Sequence, residues 1–91
     1  MARLFGNDDD NRLVGTNVAD LIYGRSGDDL LYGLRGNDII DGGEGNDRIW
    51  AGAGNDVIAA GEGNDTVAAG HGNNRVWGGD GDDVLSTGNG R

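Results

Sequence analysis

At 91 residues the chain can hold one domain and no second core. Sixteen acidic residues against seven Lys plus Arg give a formal charge of −9, and Arg3, Arg12, Arg48 and Arg75, isolated among carboxylates, form no basic stripe of the kind a nucleic-acid partner requires. Cysteine is absent, which excludes disulfides and thiolate metal sites, and no run approaches the roughly 18 apolar residues of a membrane span.

In chain order, Arg3-Leu4-Phe5 has the form of the last three positions of a nine-residue unit. Complete units follow from residues 6, 15, 24, 33, 42, 51, 60, 69 and 78, and residues 87–91 open a tenth loop. The sixth position reads Asn11, Asp20, Asp29, Asp38, Asp47, Asp56, Asp65, Asn74 and Asp83. The eighth reads Leu4, Leu13, Ile22, Leu31, Ile40, Ile49, Ile58, Val67, Val76 and Leu85, aliphatic without exception. A frame of that length marks a repeat architecture and a single domain over 1–91, degenerate in 2–23 and regular in 24–86. Residues 2–91 divide into ten nonapeptides, or five units of 18, the length expected of a module cut to whole turns from a longer array or by design. No signal peptide is expected in residues 1–20, which lack an apolar core.

The loops at 6–11 and 15–20 lack the fourth-position glycine that recurs at Gly27, Gly36, Gly45, Gly54, Gly63, Gly72 and Gly81. The second-position glycine recurs from Gly43, through Gly52, Gly61, Gly70 and Gly79. Both positions are expected to take positive φ, so Val18 should loosen its loop. Each unit ends in a three-residue strand whose middle side chain points inward, as in Leu30-Leu31-Tyr32 or Arg48-Ile49-Trp50. Two units make one coil, with alternate strands in two parallel sheets. The expected fold is all-β: a right-handed parallel β-roll, a solenoid of about five 18-residue coils around a thin aliphatic core.

The pattern Gly-Gly-x-Gly-x-Asp-x-aliphatic-x, clearest in Gly42-Gly43-Glu44-Gly45-Asn46-Asp47-Arg48-Ile49-Trp50, resembles the nonapeptide of the RTX (repeats-in-toxin) calcium-binding proteins. The match is close from residue 24 to 86 and looser from 6 to 23. The resemblance implies a calcium-loaded β-roll of the kind attached to a passenger domain in secreted bacterial proteins, and hence an extracellular location.

Loops on one edge lie 18 residues apart in sequence and about 4.8 Å apart in space. Two bare carboxylates at that separation repel by roughly 3.5 kcal/mol at an effective dielectric near 20. A hard divalent cation resolves the conflict, and calcium, with six to eight oxygen ligands in flexible geometry, suits it better than magnesium. The expected ligands are Asp29, Asp47, Asp65 and Asp83 on one edge and Asp38 and Asp56 on the other, with Asp20 a weaker member. About four to five Ca2+ sites result. Asn74 and Asn11 keep an oxygen but lose the charge, so sites beside them are expected to be weak or empty. The resemblance further implies that backbone carbonyls complete each shell, drawn from Gly24, Gly27, Gly33, Gly36, Gly42, Gly43, Gly45, Gly52, Gly54, Gly61, Gly63, Gly70, Gly72, Gly79 and Gly81. Asn37, Asn46, Asn55 and Asn64, at the fifth position, are expected to brace turns rather than touch metal. Asp8, Asp9 and Asp10 are read as surface charge.

Other chemistry is weakly represented. The Gly-x-Gly segments precede no helix and so make no dinucleotide loop, the EF-hand's twelfth-position Glu is missing, and His71 is expected to face solvent. No nucleophile, base and orienting group converge, so no enzyme is expected. Outward positions are less uniform: Leu21, Ile39 and Val57 form an apolar ladder between Arg3 and Arg75, and Tyr32 stands beside Trp50. These are either cross-strand packing or a candidate partner surface, and self-association, end to end or face to face, is a further expectation. The function expected is calcium-dependent folding. The rival is a structural or adhesive repeat whose outer sheet binds a partner, carbohydrate or ice.

Overall fold

The computed structural model describes residues 3–86; the partial terminal loop expected at 87–91 lies outside them. Ten three-residue strands follow one another: β1 Arg3–Phe5, β2 Arg12–Val14, β3 Leu21–Tyr23, β4 Leu30–Tyr32, β5 Ile39–Asp41, β6 Arg48–Trp50, β7 Val57–Ala59, β8 Thr66–Ala68, β9 Arg75–Trp77 and β10 Val84–Ser86. Odd strands stack in the order β1-β3-β5-β7-β9 and even strands in the order β10-β8-β6-β4-β2. Every pairing is parallel and offset by one coil, as in Leu4↔Ile22, Ile22↔Ile40, Leu31↔Ile49 and Ile49↔Val67. The result is the parallel β-solenoid of about five turns that the nine-residue frame implies.

The strands are short because each must turn a corner after one inward side chain. Ile22, Leu31, Ile40, Ile49, Ile58 and Val67 are buried in a single cluster, with Leu4, Leu13 and Val76 packed against its ends. Ala51, Ala60 and Ala69 join the core from the first loop position, where Gly24, Gly33 and Gly42 are also buried. That position is therefore interior and admits only small residues, a constraint the eighth-position pattern does not reveal. With Cα extents of 29 × 26 × 13 Å the roll is only two sheets thick.

Hydrogen bonding between coils continues through the loops. The first-position N–H donates to the ninth-position carbonyl one coil on, as Gly24 to Asp41 and Gly42 to Ala59, both at 2.8 Å. The seventh-position N–H donates to the sixth-position carbonyl one coil back, as Ile39 to Asp20 at 2.9 Å and Arg48 to Asp29 at 2.8 Å. The second- and fourth-position glycines named above all take positive φ from Gly27 to Gly81. Arg25 (φ 68°) and Leu34 (φ 67°) hold the second position in the same left-handed conformation despite their Cβ atoms. Val18 is not among the positive-φ residues: with a β-branched side chain, its loop takes another path and leaves it 53% exposed.

On the outside, Leu21, Ile39 and Val57 align in register between Arg3 and Arg75. Ile39 and Val57 are exposed and Leu21 is half-buried. Tyr32 and Trp50 stack at 4.9 Å between centroids, 10° from coplanar, and the Arg12 guanidinium lies 5.7 Å from the Tyr32 centroid. A second stack, absent from the sequence reading, pairs Phe5 with Tyr23 at 5.6 Å, with Arg25 5.5 Å from the Phe5 centroid.

Candidate metal centre

The sixth-position side chains lie at the mouths of the loops, where each chain segment leaves a turn and enters a strand. Asp20, Asp29, Asp38, Asp47, Asp56 and Asp65 are all buried to within 1% of complete exclusion from solvent. A carboxylate in that position must be paired or hydrogen-bonded. One oxygen is. Along one edge the N–H of Asn11 donates to Oδ1 of Asp29 (2.7 Å), that of Asp29 to Asp47 (2.9 Å), that of Asp47 to Asp65 (2.7 Å) and that of Asp65 to Asp83 (2.9 Å). Along the other, Asp20 donates to Asp38 (2.8 Å), Asp38 to Asp56 (2.7 Å) and Asp56 to Asn74 (2.7 Å).

The second oxygen is not. Oδ2 of Asp29, Asp38, Asp47, Asp56 and Asp65 is buried with no hydrogen-bond partner. Three of these atoms point back into their own loops: a Cβ built on Gly24, Gly33 or Gly42 would lie 2.7 Å from Oδ2 of Asp29, Asp38 or Asp47. Carbonyl oxygens of the next coil approach the same space, as Ala51 O does beside Gly33 (2.7 Å) and Ala60 O beside Gly42 (2.6 Å). Acceptors thus gather around these oxygens, and no donor meets any of the five. Among the described residues no three His, Cys, Asp or Glu side chains gather into one cluster, so a cation held here takes most of its ligands from the backbone. An oxygen-only set of carboxylates and carbonyls fits calcium.

The same crowding perturbs protonation. Burial pushes the carboxyls of Asp38 and Asp47 up to about 7 and those of Asp56 and Asp65 up to about 6. For Asp38 the N–H of Asp20 opposes the shift while the charges of Asp56 and Asp20 add to it; for Asp47 the N–H of Asp29 opposes, and Asp65, Asp29 and Asp28 add. Asp29 is also raised by burial, against which the backbone N–H and side chain of Asn11 act.

The fifth position forms a separate ladder of opposite sense. Oδ1 of Asp28 accepts from Asn46 N–H (2.7 Å), Asn46 from Asn64 (2.8 Å), Asn64 from Asp82 (2.8 Å), Asn37 from Asn55 (2.8 Å) and Asn55 from Asn73 (2.8 Å). These side chains do brace loops, but the brace runs from coil to coil and not within one turn. Asp10 joins it by accepting from Asp28 N–H (2.7 Å); Asp8 and Asp9 are exposed. His71 is exposed as well.

Three loops differ. In 15–20, Thr16 stands at the second position and donates its N–H to Asp20 Oδ2 (2.6 Å) and its hydroxyl to Oδ1 (2.8 Å) and Oδ2 (3.0 Å). In 69–74, Asn74 Nδ2 faces the carbonyls of Gly70 (3.2 Å), Ala69 (3.4 Å) and Gly72 (3.5 Å). In 6–11, Asn11 Nδ2 donates to Asp9 O (2.8 Å) and Asn7 Oδ1 (2.9 Å). Asp83 is half-buried.

The RTX calcium-binding nonapeptide repeat matches the chain at residues 5–40, 32–67 and 60–91. Comparison with curated proteins found no match. Among solved structures, the AlgE6R3 subunit of the mannuronan C5-epimerase from Azotobacter vinelandii is similar: 30% identity, a TM-score of 0.67, and coverage of 78% of this chain and 46% of that one. The present chain therefore spans a little under half the length of that relative. With stacked aspartate loops, two parallel sheets and a repeat match along its length, the chain belongs to the RTX calcium-binding nonapeptide repeat family.

Proposed function

We propose that the chain is a calcium-responsive folding module, with Ca2+ held between successive loops by Asp29, Asp47, Asp65 and Asp83 on one edge and by Asp38 and Asp56 on the other, completed by loop carbonyls. One observation carries this reading: five buried carboxylate oxygens without a partner. Each unsatisfied buried polar group costs about 1–3 kcal/mol and a charged one more, while a whole domain is stable by only about 5–15 kcal/mol. A metal-free roll at neutral pH would spend its entire stability on these atoms. Bound cations convert that deficit into folding energy, and because each aspartate faces coils on both sides, filling is cooperative along an edge.

The module acts as a structural unit. Family resemblance supports a secreted parent protein in which the roll stays loose where calcium is scarce, folds where it is plentiful, and supports a passenger domain. The relative's membership of an epimerase is a property of that protein. Circular dichroism through a calcium titration tests the reading: strand signal appears with calcium and disappears in chelator. Strand content unchanged by excess chelator at pH 7.5 would refute it.

A further inference from the structure

The loops divide into two kinds by what faces their carbonyl oxygens. From 24 to 65, five successive loops direct a carboxylate oxygen into an acceptor-lined interior and leave it unpartnered. In loops 6–11, 15–20 and 69–74 the atom in the equivalent place is a donor or is met by one. Asn74 keeps its Oδ1 on the N–H of Asp56, as an aspartate would, and turns Nδ2 toward Ala69, Gly70 and Gly72, the first, second and fourth positions of its own loop. Asn11 likewise turns Nδ2 into its own loop, donating to Asp9 O and Asn7 Oδ1. The geometry is superimposable in kind: a Cβ on Gly6 would lie 3.0 Å from Asn11 Nδ2, where one on Gly24 or Gly78 would lie 2.7 Å from Oδ2 of Asp29 or Asp83. Asn7 Oδ1 also accepts the N–H of Asp9 (2.8 Å), so loop 6–11 closes on its own side chains.

We infer that the carboxamides of Asn11 and Asn74 are built-in substitutes for the cation, closing loops 6–11 and 69–74 without metal and leaving ions to the aspartate loops, Asp29 to Asp83 on one edge and Asp38 to Asp56 on the other. The inference rests on the calcium reading for those intervening loops. The chemistry is an exchange of one atom. Oxygen and nitrogen occupy the same volume at the end of Asp and Asn, but carboxylate oxygen only accepts, whereas amide nitrogen donates two hydrogens. Facing carbonyls, the oxygen requires a positive ion between acceptors; the nitrogen supplies its own positive hydrogens. Loss of charge alone would merely weaken a site. The observed donors do more, because they consume the carbonyl lone pairs that a cation would need. Thr16 achieves a related end at Asp20 by bringing its hydroxyl and N–H to the carboxylate, so on the edge of Asp38 and Asp56 both neighbouring loops are met by local donors.

The test compares wild type with Asn74→Asp and Asp56→Asn, using calcium chloride alone in isothermal titration calorimetry and proton-detected NMR of the side-chain amides. Asn74→Asp is expected to bind one more calcium per chain than wild type, and Asp56→Asn fewer, with strand signal retained at lower calcium than for an alanine at the same position. In the folded wild-type roll the Asn74 and Asn11 carboxamide hydrogens should exchange at least tenfold more slowly than those of exposed Asn17. Unchanged stoichiometry in Asn74→Asp, or solvent-rate exchange of the Asn74 carboxamide, overturns the inference. Should Asn74→Asp not fold, the Asp56→Asn comparison and the exchange rates decide it. Wild type binding no calcium would sink the calcium reading, and the exchange rates would still judge the amide closure separately.

Discussion

The N–H of Asp38 donates to Oδ1 of Asp56 one coil further on, at 2.7 Å, while Oδ2 of the same Asp56 is buried without a partner. One carboxylate thus has two roles in the proposed reading: half of it belongs to the backbone ladder and half would hold a cation. Removing the side chain should therefore damage both.

Asp47, in the middle of its edge, is the sharpest case. Asp47→Ala deprives the buried N–H of Asp29 of its acceptor and removes a carboxylate that, in the proposed reading, is shared by two calcium sites. A lost buried hydrogen bond costs about 1–3 kcal/mol, and 1.4 kcal/mol is tenfold in an equilibrium. The calcium midpoint for strand formation should rise by at least about tenfold, with reduced cooperativity, in a circular dichroism titration. The exposed control Asp8→Ala should leave it unchanged.

Protonation should substitute partly for calcium. An aspartate with the ordinary value of 3.8 in the unfolded chain rises to about 7 at Asp38 and Asp47 and about 6 at Asp56 and Asp65 in the metal-free fold. The fold then holds more protons than the unfolded chain between about pH 4 and 7, so its metal-free stability is greatest near the acid end and falls as pH rises through that window. In chelator, strand signal should be larger at pH 5 than at pH 8. With calcium present the order reverses, because ligands must be deprotonated, and binding at pH 6.5 should release protons measurable by calorimetry in buffers of different ionisation enthalpy.

Leu34 holds a left-handed conformation (φ 67°) where the next coils on its edge use Gly52 (φ 83°) and Gly70 (φ 81°). That conformation costs a residue with a Cβ roughly 1–2 kcal/mol, and glycine returns about 0.5–1 kcal/mol of this through its unfolded-state entropy. Leu34→Gly should stabilise the calcium-loaded roll by about 0.5–1 kcal/mol, a gain of a few degrees in thermal midpoint for a domain of this size. A lower midpoint would show that the 39% exposed leucine side chain contributes packing that outweighs its backbone strain.

The Tyr32–Trp50 stack lies outside the sheets, away from the loops. Trp50→Ala should lower the thermal midpoint, since an aromatic pair is worth about 0.5–1.5 kcal/mol beyond its buried area, and leave calcium stoichiometry intact. Glycan-array and pull-down measurements on the same pair of proteins separate cross-strand packing from adhesion: a ligand lost with Trp50 would establish the rival function, and stability loss alone would identify the stack as a register device.

The fold was legible because one number, nine, determines it. Placing Leu31, Ile40 and Ile49 inside and pairing Leu21 with Ile39 need only the period and the alternation of a strand. The sixth-position ladder was legible for the same reason. What escaped the sequence lies in the geometry between coils. Nothing in the letters shows that Oδ1 of Asp47 is taken by Asp29 and its Oδ2 is not, or that Asn74 turns its nitrogen inward. Nor does the strand pattern reveal that Ala51, Ala60 and Ala69 are core residues, since their burial follows from how a loop leaves the preceding strand. Arg25 and Leu34 were hidden by their own identity: positive φ is readable from glycine and unreadable from a residue that bears it as strain. Phe5 and Tyr23 sit 18 residues apart, one rung of the ladder, and were within reach of the same register argument that paired Tyr32 with Trp50.

The constant offset of 18 in every strand pair and in both side-chain ladders has a consequence for how such a chain can change length. Deleting or duplicating 18 consecutive residues leaves each remaining side chain facing a counterpart of the same kind. Inserting nine also preserves the core and the loops, yet it sends every downstream strand to the opposite sheet. Val57 would leave the stripe of Leu21 and Ile39 and join that of Arg48, while the aromatic face would be continued by what had been the aliphatic one. Parity of the repeat count therefore governs which side of the roll a residue decorates, and the outer faces can be reshuffled by slippage in units of nine without disturbing the interior.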